Sequence, residues 1–416
     1  MELVPGISAH FVQSKKFKTN KITIRFTAPL SLEKIAGRML SASMLETANK
    51  AHPTSQAFRR YLASLYGTDI STSAYRRGQV HILDLTFTYV RDEFLSKKNV
   101  LTSQIFKLVR QTLFAPLAQD GAFEPALFEI ERKQLLASLA TDMDDSFYFA
   151  HKELDSLFFR DERLQLRYSD LRNRISNESP ESSYTCFQDA LNKDRIDFFF
   201  LGDFNEVEVK EWLRSFSFTG RQIDVKPQYQ QPYSNVLREG MIRKNVGQSV
   251  LELAYHCSTS YGDKHHLAMV VMNGLLGGFA HSKLFTNVRE NAGLAYTISS
   301  QLDLFSGQLR MYAGIDREKR NQARKLMNHQ LLELKKGNFT DLEIEQTKEM
   351  IRRTLLLAQD SQSSLIERVY LNSLLGKSTS DFDNWIEKLN KVDKEAICKA
   401  ANSVRLQAIY FMEGIE

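Results

Sequence analysis

Long apolar runs, clustered cysteines and one-sided charge are all missing from this 416-residue chain, and each absence removes a class of function. No stretch of 18 apolar residues occurs, so a bilayer-spanning helix is not expected. Met1-Glu2-Leu3-Val4-Pro5 lacks the basic start and apolar run of a secretory leader, and a cytoplasmic location is the expectation. Cysteines number three, at 186, 257 and 398, which excludes a disulfide framework and a Cys-x-x-Cys metal site. The charge balance is 55 − 50 = +5, spread over short mixed segments, which gives no footprint for nucleic acid. Glycine and proline are sparse, at 19 and 8, against 43% hydrophobic residues; disordered and fibrous classes are excluded.

What is present is a repeated order of elements. The first half reads as a strand over 21–29, helices over the segment that follows and near 54–66, strands over 69–75 and 79–90, long helices across 93–157, and a closing strand over 195–203. The second half repeats it with a strand over 249–257, helices over 265–276 and 282–291, strands over 294–305 and 307–315, helices across 316–376 and 381–403, and a closing strand over 405–414. This spacing predicts two homologous halves of one α+β unit, each a mostly antiparallel sheet backed by helices. Residues 1–225 form the expected N-terminal domain, 226–240 a polar linker, and 241–416 the C-terminal domain. The strands alternate, as in His81-Ile82-Leu83-Asp84-Leu85-Thr86, so one sheet face is expected under helices and the other to stay open; two open faces would make a clamshell half.

Independent catalytic apparatus is absent from the pattern. No two of the nine histidines lie four apart, and neither His-Glu-x-x-His nor its inverse occurs. Gly-x-Ser-x-Gly, a Walker loop and a dinucleotide fingerprint are also lacking. One cluster stands out: GGFAHSKLFTNVRENAGLAYTISS over 277–300 joins a glycine pair, a short helix bearing Arg289, a turn at Gly293 and a strand bearing Tyr296. Guanidinium and phenol both stay protonated at neutral pH, and together they suit holding a peptide carbonyl or a developing oxyanion. Gly277 and Gly278 read as a helix end and flexible turn that adjusts to a bound peptide. The bland alternative is that Arg289 satisfies the last helical carbonyls and Tyr296 fills a core edge.

This segment resembles the C-terminal signature of the insulinase-type, or pitrilysin-like, zinc metallopeptidases: Gly277, Gly278, Ser282, Leu284, Phe285, Arg289, Glu290, Gly293, Leu294, Ala295 and Tyr296 match in order. The family's zinc motif, His-x-x-Glu-His, falls on Ser43-Met44-Leu45-Glu46-Thr47, where both histidines are missing and only Glu46 remains. The resemblance puts the third ligand at Ala137 or Ser138, also unsuited to metal. It therefore implies a zinc-free chain, with no cofactor of its own, similar to the degenerate subunit of a bacterial paired peptidase. The zinc would sit in a homologous partner of a heterodimer. Arg289 and Tyr296 would reach the peptide substrate in trans, in small-peptide maturation. LYGTDIS (65–71) and the Asp144, Asp145, Ala150 run add to that likeness. A scaffold, or a peptide-binding chamber without hydrolysis, is the alternative.

Overall fold

The computed structural model describes residues 1–96, 100–376 and 382–415. Residues 97–99, inside the helical stretch expected over 93–157, and 381, the expected start of the 381–403 helix, lie outside them. Strands run in chain order as β1 (Glu2–Val4), β2 (Ile7–Gln13), β3 (Thr19–Pro29), β4 (Asp69–Arg77), β5 (Val80–Val90), β6 (Ala118–Gln119), β7 (Ala122–Phe123) and β8 (Arg195–Gly202). They continue with β9 (Arg238–Lys244), β10 (Ser249–His256), β11 (Thr297–Asp303), β12 (Gln308–Ile315) and β13 (Arg405–Gly414).

Two α+β units emerge, and each borrows a helix from the other half of the sequence. The first comprises Met1–Leu139, Ser169–Lys226 and Ser361–Leu374; the second comprises Ala140–Tyr168, Pro227–Asp360 and Leu375–Glu416. The first sheet has the order β1-β2-β8-β3-β5-β4 and the second β11-β12-β10-β13-β9. Read from the opposite edge, the second repeats the first strand for strand, β9-β13-β10-β12-β11 against β2-β8-β3-β5-β4. The direction repeats too: β2 with β8 and β13 with β9 are parallel, and every other pairing in the two sheets is antiparallel. Strand β9 begins at Arg238, inside the stretch read as linker from its lack of periodicity. Upstream, the linker is pinned to the second unit: the Tyr229 N–H donates to the Phe305 carbonyl at 2.7 Å, and buried Gln231 donates to the Phe158 carbonyl at 3.0 Å.

The sheet faces expected to be open are covered over their middle strands, while the edge strands keep Ser71 and Ser73 of β4 and Thr297 and Gln301 of β11 exposed. In the first unit, Thr23, Arg25 and Thr27 share the polar side of β3 with Asp84 of β5, its register partner. The helix Gln362–Leu374 lies on that side, placing Tyr370 3.0 Å from the Thr27 hydroxyl and Glu367 2.8 Å from Arg25. Arg25 also meets both Asp84 oxygens at 2.7 Å, while Ile366 and Tyr370 join Val80, Ile82, Phe199 and Leu201 in an apolar cluster. In the second unit the helix Ser146–Phe158 does the equivalent work. His151 bonds the fully buried Glu252, and Asp155 meets Arg310 at 2.7 Å and Gln308 at 3.2 Å. The physical reason is that a charged residue on a sheet face need not meet water; a helix carrying the complementary charge buries it.

The opposite faces hold the main cores. Leu251 and Leu253 of β10 pack with Met269, Met272, Leu309, Met311, Met327 and Ile397. Asp145 caps the Ser146–Phe158 helix by accepting from the Phe147 and Tyr148 N–H groups at 2.8 and 3.1 Å, an arrangement worth about 0.5–2 kcal/mol. Ala150, five residues on, is fully buried.

Candidate peptide-contact site and the remodelled metal position

The helix Ile35–Thr47 carries the three positions that match the zinc motif, and each has a protein partner. Ser43 and Thr47 lie one turn apart on it, and both hydroxyls donate back to helix carbonyls, Ser43 to Met39 at 3.4 Å and Thr47 to Ser43 at 3.0 Å. The Thr47 hydroxyl also lies 2.9 Å from the Glu131 carboxylate. Glu46 points to β4, where its Oε2 accepts from the Thr72 backbone N–H at 2.9 Å and the Thr72 hydroxyl at 2.7 Å.

Glu131, six residues before Ala137, is the carboxylate that the helix Pro125–Asp142 brings to this motif. Ala137 and Ser138 are exposed, about two helical turns further along Pro125–Asp142, whereas Glu131 is buried against the former motif. The signal for it was in the sequence. Phe128, Glu131 and Leu135 follow the helical i, i+3, i+7 spacing, and a glutamate in such a stripe needs a polar partner. Burial pushes the Glu131 carboxyl up; the Thr47 bond opposes this, and the nearby Glu46 charge adds to it.

This donor set does not fit zinc. Two neutral hydroxyls replace two imidazoles, and one carboxylate remains facing them, too few strong ligands for a tetrahedral site. Among the described residues no group of three His, Cys, Asp or Glu side chains is placed to hold a metal ion.

Arg289 and Tyr296 belong to the second unit and are both solvent-exposed. Arg289 sits in the helical turn Phe285–Asn291, its guanidinium 4.7 Å over the Phe285 ring and 3.5 Å from Glu290. Gly293, at φ +57°, turns the chain after that helix, a conformation a side chain would strain. Tyr296 directly precedes β11, the edge strand of its sheet, rather than lying within the longer strand expected over 294–305. Its ring is 63% exposed and its hydroxyl donates to Asp316 at 3.1 Å. Lys319, and after it Tyr296, hold the Asp316 carboxyl below its usual range. The Arg289 and Tyr296 side chains thus have separate partners, on either side of the Gly293 turn. Neither fills a core, so the core-edge alternative for Tyr296 does not describe this fold.

Gly277 and Gly278 do not form a loop. They close a wide helical turn, Gly274–Gly278, that continues the helix His266–Asn273. Gly277 is buried, and a Cβ there would lie 2.7 Å from the Ser300 nitrogen of β11 and from Leu284. Its role is close packing behind the strand that follows Tyr296.

A family model described as the peptidase M16 inactive domain matches residues 177–351, which include the whole stretch from Gly277 to Tyr296. The chain belongs to the M16 peptidase family. This M16 chain is 28% identical over 412 residues to the Probable inactive metalloprotease YmfF of Bacillus subtilis, covering 99% of this chain and 96% of that protein. It is also 28% identical over 229 residues to the Uncharacterized zinc protease YmxG of the same organism, covering 54% of each. A crystal structure of a conserved protein from Enterococcus faecalis superposes with a TM-score of 0.94 at 34% identity, over 100% of this M16 chain and 98% of that one.

Proposed function

We propose that this protein is the zinc-free subunit of a two-chain cytoplasmic peptidase, paired with a homologous zinc-bearing subunit and acting on peptides. The observation that carries the reading is a division between the two units. The former zinc position has lost its imidazoles and filled with internal hydrogen bonds, while Arg289 and Tyr296 stay exposed beside a sheet edge. Tyr296 is bound through its hydroxyl to Asp316 alone among the described residues, and Arg289, which meets Glu290 and the Phe285 ring, carries more N–H groups than those contacts use. In the pair, Arg289 and Tyr296 would hold the peptide carbonyl and the charge that develops on it at the partner's metal. A relative described as a zinc protease and another described as inactive occur together in Bacillus subtilis, which fits a paired arrangement.

The test is peptide cleavage by the reconstituted pair. Losing one such donor costs on the order of 10² to 10³ in rate. Arg289→Ala and Tyr296→Phe should each leave the complex assembled and slow turnover by about that factor. Unchanged turnover in both variants contradicts the reading. Peptide binding without cleavage by the intact pair would instead identify a binding chamber.

A further inference from the structure

Strand β4 is the last strand of the first sheet, paired with β5 on one side and with no strand among the described residues on the other. Such an edge presents outward N–H and C=O groups at alternate residues, and an extended peptide adds to it by completing the ladder. Here one outward donor is already taken. Glu46 accepts from both the backbone N–H and the hydroxyl of Thr72 through a single oxygen, at 2.9 and 2.7 Å. Thr72 is the fourth of nine residues in the strand. A carboxylate there removes a donor from the middle of the ladder, and its negative charge repels the carbonyl that an incoming strand would bring to the same N–H. Glu46 is itself exposed, so these two bonds, not burial, orient it.

We infer that Glu46 is a plug that keeps the β4 edge closed to strand addition, and that an extended peptide segment is the ligand it excludes. The inference rests on the reading of this chain as a peptide-handling protein, and it gives that reading a site in the first unit. The glutamate left in the former metal motif thus has a defined role in binding: its carboxylate stands where a peptide carbonyl would accept the Thr72 N–H. A peptide gains the edge only by displacing the Glu46 carboxylate from Thr72.

The experiment uses the full isolated chain and a fluorescent ten-residue peptide of alternating threonine and valine as probe, read by anisotropy. A bond between an N–H and a carboxylate is worth about 1.5–3 kcal/mol, or roughly tenfold or more in affinity. Glu46→Ala should therefore bind the probe at least about tenfold more tightly than the native chain. Adding Thr72→Pro, a substitution an outward-facing edge position tolerates, should remove the gain. Hydrogen exchange supplies a reading independent of the double variant's folding. The Thr72 amide should be protected in the native chain and unprotected in Glu46→Ala. Equal probe affinity in the native and Glu46→Ala chains, a gain that survives Thr72→Pro, or an unprotected native Thr72 amide overturns the inference. No partner subunit or cleavage enters this assay, so its failure is separable from failure of the paired-peptidase reading.

Discussion

The Thr47 hydroxyl lies 2.9 Å from the Glu131 carboxylate, joining the helix Ile35–Thr47 to the helix Pro125–Asp142 at the point where the zinc-motif match has a histidine. The contact keeps one carboxylate beside the motif positions that lack imidazoles, and two substitutions would test whether it can serve as a ligand.

The double variant Ser43→His, Thr47→His should bind one zinc ion per chain, since it restores two imidazoles one helical turn apart facing Glu131. Adding Glu131→Gln should weaken that binding by at least about tenfold, because a neutral amide is a poor ligand beside two neutral imidazoles. Titration calorimetry with zinc measures both. Equal affinity with and without Glu131 would place the third ligand elsewhere.

Gly277→Ala tests the packing role assigned to this glycine. Its Cβ would meet the Ser300 backbone at 2.7 Å, and backbone cannot step aside as a flexible side chain would. A cost of about 1–3 kcal/mol in urea unfolding is expected. Gly278→Ala meets its nearest backbone atom at 3.3 Å and should cost less.

The covering helices give a second stability prediction. Asp84→Ala would leave the Arg25 guanidinium buried with Glu367 as its remaining carboxylate partner, and loss of one member of a buried pair costs about 3–5 kcal/mol. Asp155→Ala should act similarly through Arg310. Removing the exposed pair of Lys391 with Glu387 should cost less than about 1 kcal/mol. Urea denaturation of the three variants ranks them.

Acid should destabilise the fold partly through His81. Burial, and then the Arg38 charge, lower its imidazole to about 3, against 6.5 in the unfolded chain. Because the folded value is depressed, the unfolded chain takes up the proton first as pH falls. The neutral-His contribution is thus complete above about pH 6.5 and is lost at roughly 1.4 kcal/mol per pH unit down to about pH 3. His81→Asn should remove this slope. Denaturation curves at pH 7, 5.5 and 4.5 measure it, and an unaltered slope would assign the acid sensitivity to other groups.

The period-two strands and their spacing make the duplicated α+β architecture readable, because a sheet face under helices imposes its alternation on the chain. The covering helices Ser146–Phe158 and Gln362–Leu374 are not readable in that way. Their polar contacts, His151 with Glu252 and Glu367 with Arg25, join residues 101 and 342 positions apart, and a charged strand residue looks the same whether water or a distant helix meets it. At the candidate site, Arg289 and Tyr296 are legible from the ordered match around them. Glu131 is marked by its place in an apolar helical stripe, but its partner Thr47, 84 residues away, is not. Of the reading of the glycines the helix end holds, since the wide helical turn stops at Gly278, whereas the close approach of Gly277 to β11 depends on a strand more than 20 residues away.

The most direct test of the paired-subunit account is native mass spectrometry of the tagged chain purified from its own host, with partner mass and bound zinc read together. The account predicts a complex near twice 47.9 kDa in which a distinct, homologous chain carries one zinc ion. A metal-free monomer or a homodimer of this chain would contradict it, and would make Arg289 and Tyr296 remnants of ancestry rather than parts of a shared site.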